Sequence, residues 1–502
     1  MVQRTQNPQR SACHGPRRAG AALASCLALG AAAVMPAGTA DSQVLSKALA
    51  TRSAALHGTL TVFDFGAFTS GVGGKAAYKQ LVVTYEHQNP GVRVTITPPP
   101  PSNNWQLWED TVLASGTAPA VIAPTTGNTP FLNTAWYTDL TPLMDQPDPY
   151  VPGNTALKNL LSPAALAASQ FHGSYWTFDL TAQDAAIYYN KTLFAHAGIH
   201  QAPTTWAQLL GDAKRLKAAG IVPFGYSGGD IAWAQPSTSL LFALQSNTMQ
   251  PVFDKITGRP GALVSPGKLV KAIESGAYST KSPGFSESWL LLKDLSAYFQ
   301  PGYLASCVAT VGPSCAREQF ASGKVAMDYS GQYTMGIASG GHINFGLFAV
   351  PQLTKATWPS VSNQPQGTGV WGSWNADSWA VSADAKSHGQ LPLAYNFMQW
   401  LATPQHVNQF AGDFGFIPMT RNEAVSGTPQ QVTNLDFFKG VINHQSPVSE
   451  AATLVLGPAG EESQQKLVQE YLDNQLSLAN AMTQEESVLQ TAAASAAGWA
   501  LG

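Results

Sequence analysis

The stretch LTVFDFGAFTSGVGGKAAYKQLVVTYEHQNPGVRVTI, residues 60–96, decides the fold class. Leu60 to Phe65 is a short β-branched and aromatic run, and a glycine-rich loop follows from Gly66 to Gly74. From about Ala76 to His87 the apolar positions Tyr78, Leu81, Val82 and Tyr85 recur at three- and four-residue spacing, which puts them on one face of a helix. Asn89-Pro90-Gly91 breaks that helix, and Val92 to Ile96 reads as the next strand. Strand, helix and strand at these lengths predict parallel βαβ layering and an α/β protein.

Working outward, Thr205 with Gln208 predicts a capping box that opens a helix over 206–219, closed by Gly220. Thr403-Pro404 predicts an N-cap followed by proline at the first helical position. Thr483 with Glu486 repeats the capping-box pattern near the C-terminus. The 502 residues are too many for one hydrophobic core, so two or three domains are expected. Charged residues make up only 11% of the chain, against roughly a quarter in ordinary soluble domains, so its polarity must come from hydroxyls, amides and backbone. The 13 tryptophans supply the apolar surface that disordered chains lack.

The first 40 residues hold Arg4, Arg10, Arg17 and Arg18 and no acid; without them 23 basic residues face 30 acidic ones, net −7. That balance disfavours nucleic acid and anionic membranes as partners and suits neutral ligands. Arg17-Arg18 before the apolar run Ala19 to Met35, with Gly38-Thr39-Ala40 after it, predicts a signal peptide over 1–40 and a flexible leader over 41–57. The alternative is a lipoprotein signal, in which Leu23-Ala24-Ser25-Cys26 directs a lipid anchor to Cys26. No later stretch approaches the roughly 18 apolar residues a membrane span needs. Cys307 and Cys315 flank Gly312-Pro313 and, in an oxidising compartment, predict a disulfide closing a short loop.

Taken in order, several segments resemble the extracellular solute-binding proteins of sugar ABC importers, the maltose-binding-like group. They are YKQLVVTYEHQNPGVRVTI (78–96), LASGTAPAVIAP (113–124), YTDLTPLM (137–144) and IYYNKTLFAHAGIHQAPTTWAQLLGDAKRLKAAGIVPF (187–224). FASGKVAMDYSGQY (320–333), FGLFAVP (345–351), WAVSADAKSHGQLPLAYNFMQWLATPQ (379–405) and FGFIPMTR (414–421) complete the series. One departure is Pro119-Ala120-Val121, where the family usually has Pro-Asp-Val. The resemblance implies a two-lobe periplasmic-binding-protein fold of type II-like form, each lobe a mostly parallel sheet flanked by helices, the lobes joined by crossover strands. It places crossings near 179–189, 327–331 and 379–383. Lobe 1 is then 58–178 plus 332–380, and lobe 2 is 179–331 plus 381–502. It further implies a monomer without cofactor or metal that captures a carbohydrate outside the cytoplasm, in the periplasm or at the cell surface, and docks on the permease of an ABC importer.

A neutral sugar needs flat apolar faces for its C–H side and planar amides or carboxylates for its hydroxyls. By the resemblance, Tyr333 is the stacking aromatic after Gly331, and Gln183 with adjacent Asp184 binds hydroxyls. Asn128 falls on the loop after the 113–124 segment, where ligand contacts are common. Trp233, Trp371 and Trp374 sit in glycine-flanked loops, where an indole is hard to bury completely. Asp64 and Phe65 end the first strand, the end at which open α/β sheets place ligand loops. Trp105 is a further candidate. Each of these residues has an ordinary alternative as packing or solvated loop; Asn190 and Lys191 read as structural.

Two other function classes compete. Gly225-Tyr226-Ser227-Gly228-Gly229 fits G-x-S-x-G, the nucleophile turn of serine hydrolases, with Asp328, Asp377, His388, His406 and His444 following in a permissible order. That turn needs a helix starting at the serine, which Gly228-Gly229 and Pro236 discourage. A surface adhesin that binds glycans without a transporter would use the same cleft chemistry. His196 and His200 are four apart but separated by Gly198 at a helix end, a poor zinc pair. Gly66 to Lys75 lacks the spacing of a phosphate-binding loop.

Overall fold

The computed structural model describes residues 56–64, 74–98, 105–123, 134–183, 185–228, 235–304, 316–331, 334–335, 338, 341–358, 374–375, 378–414, 416–421, 432–434, 436–438 and 447–501. Its first sheet has the order β2-β1-β3-β13-β6, built from β1 (Gly58–Asp64), β2 (Val92–Ile96), β3 (Val121–Ala123), β6 (Phe178–Asp179) and β13 (Ser378–Val381). β1 lies parallel to β2 and β3, with Val62 opposite both Ile96 and Val121. The connecting helix Gly74–Gln88 buries Tyr78, Leu81, Val82 and Tyr85, the face that its spacing predicts. Gly91 is required at the turn after it, because a Cβ there would run into the Leu56 carbonyl oxygen.

The second sheet has the order β11-β8-β10-β9, from β8 (Ala185–Asn190), β9 (Val222–Gly225), β10 (Val325–Gly331) and β11 (Phe345–Phe348). The helix Trp206–Ala218 feeds β9 and is opened by the expected capping box: Gln208 N donates to Thr205 Oγ1 (3.3 Å) and Thr205 N to Gln208 Oε1 (3.2 Å). Gly220, at φ +74°, closes it. A third, small sheet holds β12 (Trp374–Asn375), β7 (Thr181–Gln183) and β14 (Ile417–Pro418). β4 (Gln170–Phe171) and β5 (Ser174–Tyr175) form a hairpin beside the first sheet's edge strand β6.

The fold is therefore α/β with two lobes joined by crossover strands. The sheets are mixed, however. β9–β10 is the parallel pair of the second sheet, while β8 meets β10 and β11 antiparallel; β13 likewise meets β3 and β6 antiparallel. Strands arriving from the crossover run against the βαβ direction, which accounts for the mixture.

The lobes also divide differently from the expectation. The 327–331 segment is not a crossing: it is the end of β10, and the chain stays on the second sheet by returning as β11 beside β8. Residues 345–348 thus belong with lobe 2. Conversely, β13 and the helix Leu391–Leu401 belong with lobe 1, where Tyr85 meets Phe397 (4.9 Å, 88°) and Trp400 (5.2 Å, 66°) edge-on. Trp400 Nε1 donates to Gln88 Oε1 (2.7 Å), and the hydroxyls of Tyr85 and Tyr150 both reach Asn396 Oδ1. The helix Pro404–Phe414 buries Val407, Phe410 and Ala411 in the same core, and Thr403 caps it as expected, its Oγ1 accepting from His406 N (3.4 Å).

Lobe 2 is completed by the helices Ser449–Leu472 and Leu478–Ala500. The capping box expected at Thr483 is not formed. Ser477 caps the last helix instead, accepting from Asn480 N (3.3 Å). Thr483 therefore lies inside the helix and donates back to Ala479 O, and Glu486 turns to Thr280. Among the described residues no helix is long and apolar enough to cross a membrane.

Candidate functional site

The crossover is a ribbon made from two distant stretches of chain. Going up one side, β6 leads through Leu180 into β7 and then β8; coming down the other, β12 leads into β13. Asp179 faces Ser378 at the lobe-1 end, and Ala182 faces Asn375 further along. Gln183 faces Trp374 at the end toward β8. β14 flanks β7, with Ile417 opposite Ala182 and Pro418 opposite Thr181. Two of the predicted ligand residues, Gln183 and Trp374, are thus brought together on the backbone that joins the lobes.

The ribbon is tied down at its root. Asp179 is fully buried; its carboxylate accepts from the Ser378 hydroxyl, from Ser169 Oγ (2.6 Å) and from Thr177 Oγ1 (3.2 Å). Burial pushes its carboxyl up to about 6, against the opposing pull of those three hydroxyls.

In lobe 1 aromatic side chains gather on one face near the end of β1. Asp64 ends β1, fully buried and level with Ala123 at the end of β3. On one face of this sheet Phe63, Ile122 and Ala380 form a separate cluster with Leu113 and Tyr137. Half-buried Trp108, Trp136 and Trp176 pack around it, Trp108 at 4.6 Å from the Phe63 ring. These three indoles were not singled out from sequence. Trp108 lies in a helix and Trp136 in a short turn, each more than ten residues past a strand end, and periodicity alone does not separate such aromatics from core.

In lobe 2 the end of β9 is held by amides. Gln300 accepts from Tyr226 N (2.8 Å) and donates to Tyr226 O (2.7 Å), and Gly228 N donates to Tyr303 O. Gln465 and Gln469 both donate to the Gly228 carbonyl (2.7 and 2.5 Å). Tyr226 stacks on Phe299 at 4.3 Å and 9°. The sparse charge of the sequence has its counterpart here, since side-chain amides hold a loop root that ion pairs would hold elsewhere.

The same geometry bears on the G-x-S-x-G turn. Ser227 Oγ accepts from Ala316 N (3.2 Å), and among the described residues the next helix is Gln235–Thr248. His406, one of the ordered histidines, lies against the Trp400 ring (3.8 Å), with its Nδ1 2.8 Å from Trp400 O. Asp328 is buried in β10, its carboxyl pushed well up by burial, with Arg317 opposing and Glu318 reinforcing that shift.

Trp105 opens the helix Trp105–Ser115; its side chain, like those of Gln183 and Trp374, is outside the described residues. Phe65, Asn128, Asp184, Trp233, Tyr333 and Trp371 also lie outside them, as do Cys307, Cys315 and the signal and leader segments up to residue 55. Ala120, where the family pattern has aspartate, is held through its backbone: its N–H donates to Thr61 Oγ1 (3.0 Å) and its carbonyl accepts from Ser382 N. β3 forms without the carboxylate. Among the described residues no group of three His, Cys, Asp or Glu side chains is placed to hold a metal ion.

Two α/β lobes joined by paired crossover strands define a hinged solute-binding protein. The family model for bacterial extracellular solute-binding proteins matches residues 69–407, and the chain belongs to that family. Similar solved structures include RafE in complex with raffinose, with 15% identity, a TM-score of 0.63, and 87% of this chain and 100% of that one covered. The GacH receptor of Streptomyces glaucescens, solved unliganded and with acarbose, has 21% identity, a TM-score of 0.60, and coverage of 88% and 99%. Maltose-bound MalE3 of T. maritima has 18% identity, a TM-score of 0.62, and coverage of 86% and 99%. Sequence relatives include a putative binding protein of Brucella abortus (strain 2308), 26% identical over 36% of this chain and 40% of that protein. The sn-glycerol-3-phosphate-binding periplasmic protein UgpB of the same strain is 26% identical over 40% of this chain and 41% of its own length. The matched stretch therefore spans about two fifths of those relatives.

Proposed function

We propose that this protein captures a neutral mono- or oligosaccharide between its lobes, outside the cytoplasmic membrane, and delivers it to an ABC importer without transforming it. The observation that carries the reading is the ribbon itself, which sets Gln183 opposite Trp374 where the chain passes between lobes. An amide and an indole on one strand pair supply a hydroxyl partner and a stacking face from a single rigid support. The half-buried indoles near Phe63 add apolar surface from lobe 1, and the amide-held end of β9 adds polar backbone from lobe 2. Ligand would favour the closed form by its differential affinity for the two arrangements of the hinge. Structural neighbours bound to raffinose, maltose and acarbose support the ligand class, and membership of an extracellular family supports an extracytoplasmic location.

A phosphorylated polyol is the second reading, favoured by the UgpB relative. The low charge of the chain weighs against it, because a phosphate in a cleft calls for converging cations. Titration calorimetry against maltose, raffinose and sn-glycerol-3-phosphate separates the two. Binding of a sugar, weakened at least tenfold in Trp374→Ala or Gln183→Ala, is the expected result. Binding of the phosphate ester alone overturns the carbohydrate reading, and ester hydrolysis lost in Ser227→Ala would replace it with the hydrolase class.

A further inference from the structure

We propose that Asp179 is a positioning residue whose proton clasps the root of the crossover ribbon, and that ionising it loosens the support of the Gln183–Trp374 pair. Ser169 Oγ lies 2.6 Å from Asp179 Oδ2 and 2.8 Å from Ala165 O, two groups that both accept. A serine hydroxyl has one proton to donate. With Asp179 ionised, Ser169 satisfies the carboxylate or the Ala165 carbonyl, and the other is left facing an oxygen lone pair in a buried site. With Asp179 protonated on Oδ2, that O–H donates to Ser169 Oγ and Ser169 donates to Ala165 O. The Ser378 hydroxyl still donates to Oδ1, and Thr177 Oγ1 can still donate to Oδ2. One added proton completes the whole chain, and an unmade bond to a buried polar group is the costlier alternative.

The surroundings favour the neutral form. The elements that bond or pair around the carboxyl are the helix Pro163–Ser169 (PAALAAS), β6 (FD), β13 (SWAV), β7 (TAQ) and β14 (IP), and none carries a titratable side chain other than Asp179; the β4–β5 hairpin beside β6 adds exposed His172 and half-buried Tyr175. No cation on these elements offsets the loss of water, consistent with a carboxyl pushed up to about 6 by burial. The clasp joins three elements at once: the helix through Ser169, one ribbon strand through Asp179 and the other through Ser378. Gln183 lies four residues beyond Asp179, about 13 Å at the usual strand rise, and its partner Trp374 lies four residues before Ser378 in sequence. A folded-state value raised above the ordinary 3.8 means the clasp is complete below pH 4 and weakens as pH rises through 6.

The experiment is hydrogen exchange on the full-length protein at pH 5 and pH 8, corrected for the intrinsic rate and read on peptides covering 178–183 and 374–381. Wild type should lose up to about tenfold in protection there, the part of the shift from 3.8 to about 6 that falls between those two pH values. Asp179→Asn, which donates to Ser169 at every pH, should show no such change. Parallel losses in wild type and variant, or a wild-type ribbon equally protected at both pH values, overturn the proposal. Should Asp179→Asn fail to fold, Ser169→Ala replaces it, and an unchanged midpoint there is equally fatal. Maltose and raffinose affinities at both pH values carry the ligand readout, which rests on the carbohydrate reading. If neither sugar binds wild type at any pH that reading fails, while the exchange profile still decides the clasp.

Discussion

Replacing Glu485 by glutamine should stabilise this protein at alkaline pH, although the change removes a charge and adds no contact. Glu485 lies in the helix Leu478–Ala500, fully buried against the helix Ser449–Leu472. Gln464 Nε2 donates to its Oε1 at 2.6 Å; Glu485 Oε2 and Gln464 Oε1 are both buried with no hydrogen-bond partner. Burial drives the carboxyl up to about 7, Gln464 pulls it down and neighbouring Glu486 pushes it up again. Raising a carboxyl from 4.5 to about 7 corresponds to roughly 3 kcal/mol, at 1.36 kcal/mol for each tenfold step. Because the folded value lies above the unfolded one, this stability is fully present below about pH 4.5 and is lost as pH rises through 7. Glutamine keeps the shape, supplies the donor that the protonated acid supplies, and does not titrate. Urea unfolding of wild type and Glu485→Gln at pH 5 and pH 8 should give near-equal midpoints at pH 5. At pH 8 the variant should lead by roughly 2–3 kcal/mol. If the two proteins lose stability in parallel between those values, the carboxyl is already ionised in the fold and the reasoning fails.

Glu461, half-buried near the kink at Gly457-Pro458, also has its carboxyl pushed up to about 7 by burial. Glu461→Gln should flatten the same pH window by a smaller amount, because its partial exposure screens the effect, read in the same titration. His406 has the opposite sign: burial lowers its value, so stability present above pH 6.5 falls as the solution is acidified. His406→Gln should therefore lose less than wild type between pH 6.5 and pH 4.5 in thermal melts. Tyr85→Phe removes one of two hydroxyls converging on Asn396 Oδ1 and should cost about 1 kcal/mol in the denaturant midpoint of the first lobe. A loss several times larger would mean that the ring, not the hydroxyl, had moved.

Local signals predicted local structure well. The Tyr78–Tyr85 face and the Thr205/Gln208 capping box are each written within one or two helical turns, and both formed. Failures came where a second candidate lay nearby or far away. Thr483/Glu486 has the capping pattern, yet Ser477 lies six residues earlier with a proper N-cap conformation, and the helix nucleates there. For the candidate site, Gln183 came from the family resemblance and Trp374 from its glycine-flanked setting, but that they stand opposite each other is a property of strand pairing. Glu485 gave no warning at all, because a glutamate in an amphipathic helix ordinarily marks the solvent side.

The amino-acid order alone determined that this is an α/β protein of the solute-binding family, since hydrophobic periodicity, caps and motif succession are all short-range. Tertiary structure alone decided the course of the chain after residue 331. The apolar faces of 345–348 and 391–401 could have been buried against either sheet. Backbone pairing of β11 with β8 and of β13 with β3 made the choice. Long-range hydrogen bonds of this kind are specified by which strand edges stand open once the rest has folded, and no window of sequence contains both edges.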